Sequence, residues 1–160
     1  MLLISHRGNI DGPDPLNENR PGHIVAALYM DFDVEVDVWW MEDGIYLGHD
    51  SPVYKTDHNF LINKHLWIHC KNIDAMINLS YDDRLNLFYH KEGITFSSKG
   101  FLMTAPGLSV NHKSIALMPE MCFDWDVSPA YGICTDYPLK HRDATTIRSE
   151  ERRVGKECRL

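Results

Sequence analysis

Two histidines, each beside a charged residue, and two carboxylates spaced two apart fall within the first fifty positions: His6-Arg7-Gly8, Glu35-Val36-Asp37 and His49-Asp50. Histidine titrates near neutrality, so two of them can divide the work of proton acceptor and proton donor. Carboxylates at i and i+2 of a strand point to one face, where their hard oxygens suit Mg²⁺ or Ca²⁺ better than zinc. Arg7 adds a planar fork of donors matched to a phosphate. A phosphodiester is an anion that resists anionic attack. Its cleavage needs charge neutralisation, an aligned nucleophile and a protonated leaving oxygen. An isolated histidine is more often structural, and the chain has nine. It is the set that makes His6 and His49 candidates for proton transfer, Glu35 and Asp37 for a metal, and Arg7 for a phosphate.

Positioning these residues falls to a few recognisable elements. Asp33 to Trp40 alternates with period two, Val34, Val36 and Val38 facing one way and Glu35, Asp37 and Trp39 the other. In a barrel of parallel strands the valines would meet helices and the carboxylates would point inward near the strand's C-terminal end, with Trp39 walling the pocket. Glu42-Asp43-Gly44 is a turn signal, and Ile45 to Gly48 returns as a strand that brings His49 back toward the carboxylates. Further strands are expected at 2–5, 66–70, 85–89, 94–96, 101–104, 115–118 and 132–134. Helices are expected at 21–30, behind Asn19-Arg20-Pro21, and at 73–79. Strands alternating with helices define an α/β class. A full eight-fold barrel takes about 250 residues, so residues 1–141 are expected to form one trimmed TIM-type barrel with several crossover helices reduced to loops or hairpins, 94–104 being one such hairpin.

The chain has 160 residues, 44% hydrophobic and 24% charged, which fits one globular domain. No segment approaches the roughly 18 unbroken apolar residues of a membrane span. The opening Met1 to His6 lacks the basic flank and cleavage site of a signal peptide, so a cytoplasmic protein is expected. The four cysteines show no metal-ligand spacing, and Cys70 and Cys134 sit in apolar runs as expected buried, reduced thiols. Residues 142–160 are expected to be a tail outside the domain. Arg148 to Cys158 looks like the in-frame translation of a common sequencing adapter, so 148–160 is expected to be artefactual. That stretch holds five basic and three acidic residues; without it the formal charge moves from −7 to about −9. So acidic a body is a poor binder of nucleic acid.

With these motifs in order, the sequence resembles the glycerophosphodiester phosphodiesterases of the phosphatidylinositol-phospholipase-C-like barrel superfamily. The resemblance rests on His6-Arg7-Gly8, Glu18-Asn19-Arg20, Glu35-Val36-Asp37, Gly48-His49-Asp50 and a closing Thr135-Asp136-Tyr137-Pro138, spanning about residues 2–139. It implies a closed barrel that hydrolyses a glycerophosphodiester or similar alcohol phosphodiester, using a divalent metal and the His6/His49 pair. It also implies Glu18 at or near the metal and Lys71 on the phosphate. The middle strand departs from the pattern: where many members have Glu-x-Lys, this chain has His69-Cys70-Lys71. His69 then becomes the fourth candidate metal residue, and Mg²⁺ or Mn²⁺ stands level with Ca²⁺. Two alternatives remain open: a phospholipase-D-like lyase forming a cyclic phosphate, and a non-catalytic phosphate-ester-binding barrel. The expected partner is a small-molecule phosphodiester. His58, His65, His90 and His112 match no motif and are assigned structural or surface roles. Glu120 is weighed between a polar contact to substrate and a loop cap.

Overall fold

The computed structural model describes residues 1–146. The adapter-like stretch from Arg148 and the fourth cysteine, Cys158, lie outside the described residues. The elements, in chain order, are β1 (Leu2–His6), α1 (Pro21–Tyr29), β2 (Asp33–Met41), β3 (Gly44–Leu47), β4 (Tyr54–Thr56), α2 (His58–Leu61), β5 (Leu66–Cys70) and α3 (Ile73–Leu79). There follow β6 (Leu87–Phe88), β7 (Ile94–Phe96), β8 (Leu102–Thr104), β9 (Ser114–Leu117), a 3₁₀ turn (Pro119–Met121) and β10 (Gly132–Thr135). Residues 138–146 are helical, and Arg142 sets its guanidinium 4.4 Å from the Phe32 ring centre, carrying the fold past residue 141.

One mixed sheet results, curled into a half-barrel with few helices. Its parallel run is β6-β5-β2-β1-β10-β9-β8. The remaining strands are antiparallel: β3 on β2, β4 on β3, and β7 on β8, the last two being the hairpin expected over 94–104. Ladder pairing does not close the ring among the described residues. The free edge of β6 is met instead by Ser98 in the β7–β8 turn, whose amide donates to the Leu87 carbonyl at 2.7 Å and whose hydroxyl accepts from the Leu87 amide at 2.8 Å. That hydroxyl also donates to the Leu85 carbonyl, so the strand expected over 85–89 contracts to two residues.

The two faces of β2 separate as its alternation requires. Val34, Val36 and Val38 are wholly buried against Ile24 and Ala27 of α1 and Ala75 and Leu79 of α3. On the opposite face Ile4, Trp67, Met103 and Ile115 pack with Phe88 and Cys134 into the floor of the half-barrel. By the period of two, His6 stands one step above Ile4, and His69 one step above Trp67. Asn72 caps α3 by accepting from Ala75 N, and it also exchanges hydrogen bonds with both backbone groups of Trp40. A cap of this kind contributes about 1 kcal/mol; here it also pins the C-terminal end of β2 at Trp40, beyond the carboxylates. Among the described residues no helix is long and apolar enough to cross a membrane.

Candidate functional site

The C-terminal ends of β1 and β5 meet the middle of β2 because those strands are parallel and in register: His6 lies opposite Glu35, and Asp37 opposite His69. Glu35, Asp37 and His69 bring one ligand atom each within 4.8 Å of one another. His69 Nδ1 is 3.1 Å from Asp37 Oδ1 and 3.5 Å from Glu35 Oε1. Its other nitrogen, Nε2, lies 3.1 Å from the His90 carbonyl, which fixes the proton there and turns Nδ1 toward the carboxylates. The ring is also stacked on Phe88, centre to centre 4.9 Å.

Asp37 is fully buried, and its two oxygens differ. Oδ2 accepts from Asn19 Nδ2 at 2.8 Å and lies 3.2 Å from Arg7 Nε. Oδ1 has only ion-pair contacts, to His69 and to Lys71 Nζ at 3.4 Å, and accepts no hydrogen bond. Those two cations offset the charge of this buried oxygen, and a divalent ion bound there would displace the His69 proton. The donor set of two carboxylates and one imidazole fits a divalent ion of the Mg²⁺ or Mn²⁺ kind. Burial works against the Asp37 charge, but His69, Lys71 and Arg7 hold it well below the usual carboxylate range. For His69 burial lowers the pKa, and the Asp37 and Glu35 contacts more than reverse this, raising it to about 9.

His6 is held from behind. Its Nδ1 lies 2.7 Å from Asp136 Oδ1, leaving Nε2 on the cavity side, 4.0 Å from Glu35. Burial pulls its pKa down, yet the Asp136 bond and the Glu35 charge leave it raised above 6.5. Asp136 is placed in turn by Glu120, whose carboxylate accepts from the Asp136 amide at 2.9 Å and from the Thr135 hydroxyl at 3.0 Å. Glu120 is therefore the loop cap. Asn9 ties the ends together, donating to Asp136 and to Glu18, both at 2.9 Å.

Arg7 adopts a left-handed backbone (φ 54°), and so does Asn19 (φ 62°). Asparagine tolerates that region, whereas for arginine such strain costs about 1–3 kcal/mol and must be offset by its surroundings. The offset is visible: Arg7 Nη1 donates to Glu18 at 2.9 Å, its amide donates to the Glu35 carbonyl at 3.0 Å, and its Nε pairs with Asp37. Glu18, expected in the metal shell or orienting an outer ligand, lies outside the Glu35/Asp37/His69 cluster and bonds Arg7, which in turn pairs with Asp37, and Asn9.

His49 is also placed differently from expectation. Its side chain is 40% exposed and pairs with its neighbour Asp50 at 2.7 Å. A cavity of about 260 Å³ holds His6, Arg7, Glu35, His69 and His90. His49 instead lines a second cavity, of about 340 Å³, whose wall includes Arg7 from the other side. Gly48 sets this turn. At φ 152° a side-chain carbon there would sit 2.0 Å from the Ser51 carbonyl oxygen. Trp39 does not wall either cavity; its indole donates to the Gly48 carbonyl at 2.6 Å. Lys71 reaches the buried side of Asp37 and lines neither cavity. Asp136, Asn9, Asn19 and His90 are the site residues that sequence reasoning did not assign. The Thr-Asp-Tyr-Pro motif carried a signal for Asp136 and Glu18-Asn19-Arg20 one for Asn19, whereas His90, assigned a structural or surface role, orients His69 through its carbonyl.

Comparison with protein-family models, curated proteins and solved structures returned no match.

Proposed function

We propose that the chain is a metal-dependent phosphodiesterase of the glycerophosphodiester phosphodiesterase type, built on a trimmed TIM-type barrel and acting on a glycerophosphodiester or similar alcohol phosphodiester. The observation that carries this reading is the Glu35/Asp37/His69 cluster, two members of which, Glu35 and His69, line one cavity with His6 and Arg7. The order of sequence motifs supports it independently.

Glu35, Asp37 and His69 would hold the ion, which when bound neutralises phosphate charge and acidifies a hydroxyl. Arg7 stands between the two cavities and would position the phosphate. His6, whose imidazolium is favoured by Asp136 and Glu35, is suited to donate its Nε2 proton to the departing alkoxide as the P–O bond breaks. His49, on the far side of Arg7, would accept the proton of the attacking hydroxyl as the new P–O bond forms. Asp136 acts only through His6, by holding its tautomer and orientation. Hydrolysis of bis(4-nitrophenyl) phosphate is the test, in Mg²⁺, Mn²⁺ or Ca²⁺. Turnover is expected to disappear in EDTA and to fall by at least about 100-fold in His6→Ala. No turnover with any ion, together with retained binding of a phosphate ester, would instead make the protein a binding module. The outward displacement of His49 is the observation that favours that second reading.

A further inference from the structure

The two cavities that share Arg7 differ in chemistry. Past the His6/Glu35/His69 cluster, the first is walled by Phe88, Pro106, Leu117, Met118 and Met121. Besides the shared Arg7 and the Cys134 thiol, it holds His90, whose Nε2 already points to the Gly93 carbonyl at 3.2 Å. The second presents Glu18, Asn19, His49, Asp50, Ser51 and Tyr54, with Pro15, Leu16 and Val53 as its apolar members. Met118 holds a left-handed backbone (φ 49°) at the head of the 3₁₀ turn, and Met121 at that turn's end is 72% exposed although it lines the first cavity. An exposed methionine over an apolar cavity is a contact surface that adapts to what it meets.

Resting on the phosphodiesterase reading, we propose that the substrate is an asymmetric phosphodiester: its phosphate sits at Arg7, an apolar alcohol arm lies against Phe88, Leu117, Met118 and Met121, and a polar alcohol arm lies in the His49 cavity. A phosphate on the shared arginine presents one ester oxygen to each side, so the two arms meet different walls. The cavity's volume of about 260 Å³ is shared between the polar end at His6, Glu35 and His69 and the apolar wall. The apolar arm is therefore an aryl group or a short alkyl chain, with anything longer leaving past Met121.

Non-hydrolysable monoanions of the form alkyl methylphosphonate, with methyl, ethyl, butyl and hexyl esters, test this by calorimetric titration of the full chain in Mn²⁺. Each added methylene is expected to tighten binding roughly threefold to fourfold until the cavity fills. Met121→Ser, a change at an exposed position that leaves the fold intact, is expected to reduce that increment for the butyl and hexyl esters. Affinity independent of chain length, with the methyl ester still binding, would overturn the apolar arm and leave the phosphodiesterase reading standing. Failure of every ester to bind would overturn the phosphate site itself, and both proposals with it.

Discussion

Replacing Asp37 by Asn removes one charge from the centre of the site and almost no volume. The Asn19 amide can still donate to the retained carbonyl oxygen, and the backbone bond from Asp37 N to Asn19 Oδ1 at 2.9 Å is untouched. What is lost is the anion lying within 3.1–3.4 Å of His69, Arg7 and Lys71. The new NH₂ group then faces cations rather than accepting from them. Breaking a buried ion cluster by removing one partner costs about 3–5 kcal/mol, a large part of the 5–15 kcal/mol typical of a domain. At an m-value near 2 kcal/mol/M, the urea midpoint in EDTA should fall by about 1.5–2.5 M. The four tryptophans give the signal. With Mn²⁺ at about 100 times its Kd, the wild-type protein should gain about 2.7 kcal/mol and the variant nothing. A variant midpoint within about 0.3 M of wild type in EDTA would refute the buried-charge reasoning. Equal stabilisation of both proteins by Mn²⁺ would refute Asp37 as a ligand.

In EDTA, His69 binds its proton more tightly when folded (pKa about 9) than when unfolded (about 6.5). Its contribution is therefore complete below about pH 6.5 and lost as pH rises through about 9. The urea midpoint should decline across that window in the wild-type protein and less in His69→Gln; a flat wild-type profile would contradict this. Burial pushes the Cys70 thiol up to about 12 and Cys134 well above its ordinary range, whereas Cys122 is only half-buried. A thiol-specific disulfide reagent at pH 8 should label Cys122 and spare the other two until urea is added, as peptide mapping by mass spectrometry would show; rapid labelling of Cys70 would count against the packed β5. In Gly48→Ala the turn must open to relieve the clash with Ser51, at a cost of more than about 1 kcal/mol. Diesterase activity should fall further than stability does, because His49 moves; unchanged activity would remove His49 from the reaction.

What could be read in advance was whatever depends on neighbours in sequence. The strands 66–70 and 94–96 and the helix 73–79 occur where expected, since apolar runs and the Asn72 cap are local signals. The burial of Glu35 and Asp37 was legible because Val34, Val36 and Val38 demanded the opposite face. Tyr54–Thr56 was not, being three residues with no alternation of its own; its pairing exists only because β3 offers an edge. Nor was the first helical turn at His58, although Asp57 caps it by accepting from Phe60 N. The site's supporting contacts were hidden for another reason. Asp136 meets His6 across 130 positions, and what orients His69 is a backbone carbonyl at His90, which leaves no trace in residue type. Glu18 illustrates the converse. Its motif marked it as important, but only the left-handed turn at Arg7 reveals that its partner is the arginine.

A histidine in the cluster with Glu35 and Asp37 is easier to understand from the charges around it. Glu18, Glu35, Asp37 and Asp136 are linked by ion pairs and by Asn9 to His6, Arg7, His69 and Lys71, four carboxylates with four basic groups. With a proton on His69 and on His6, the cluster is neutral and can stay buried without an ion. A third acid in place of His69 would leave the empty site two charges more negative, in a setting where unpaired charge is expensive. A divalent ion held by Glu35, Asp37 and His69 would displace the His69 proton and make the cluster positive by one. One positive charge is the complement of a phosphodiester monoanion. In this arrangement metal binding would create the attraction for the substrate, so phosphonate affinity should rise with Mn²⁺ in the wild-type protein and stay at the weak, metal-free level in His69→Lys, where a fixed single charge keeps the cluster neutral and excludes the ion.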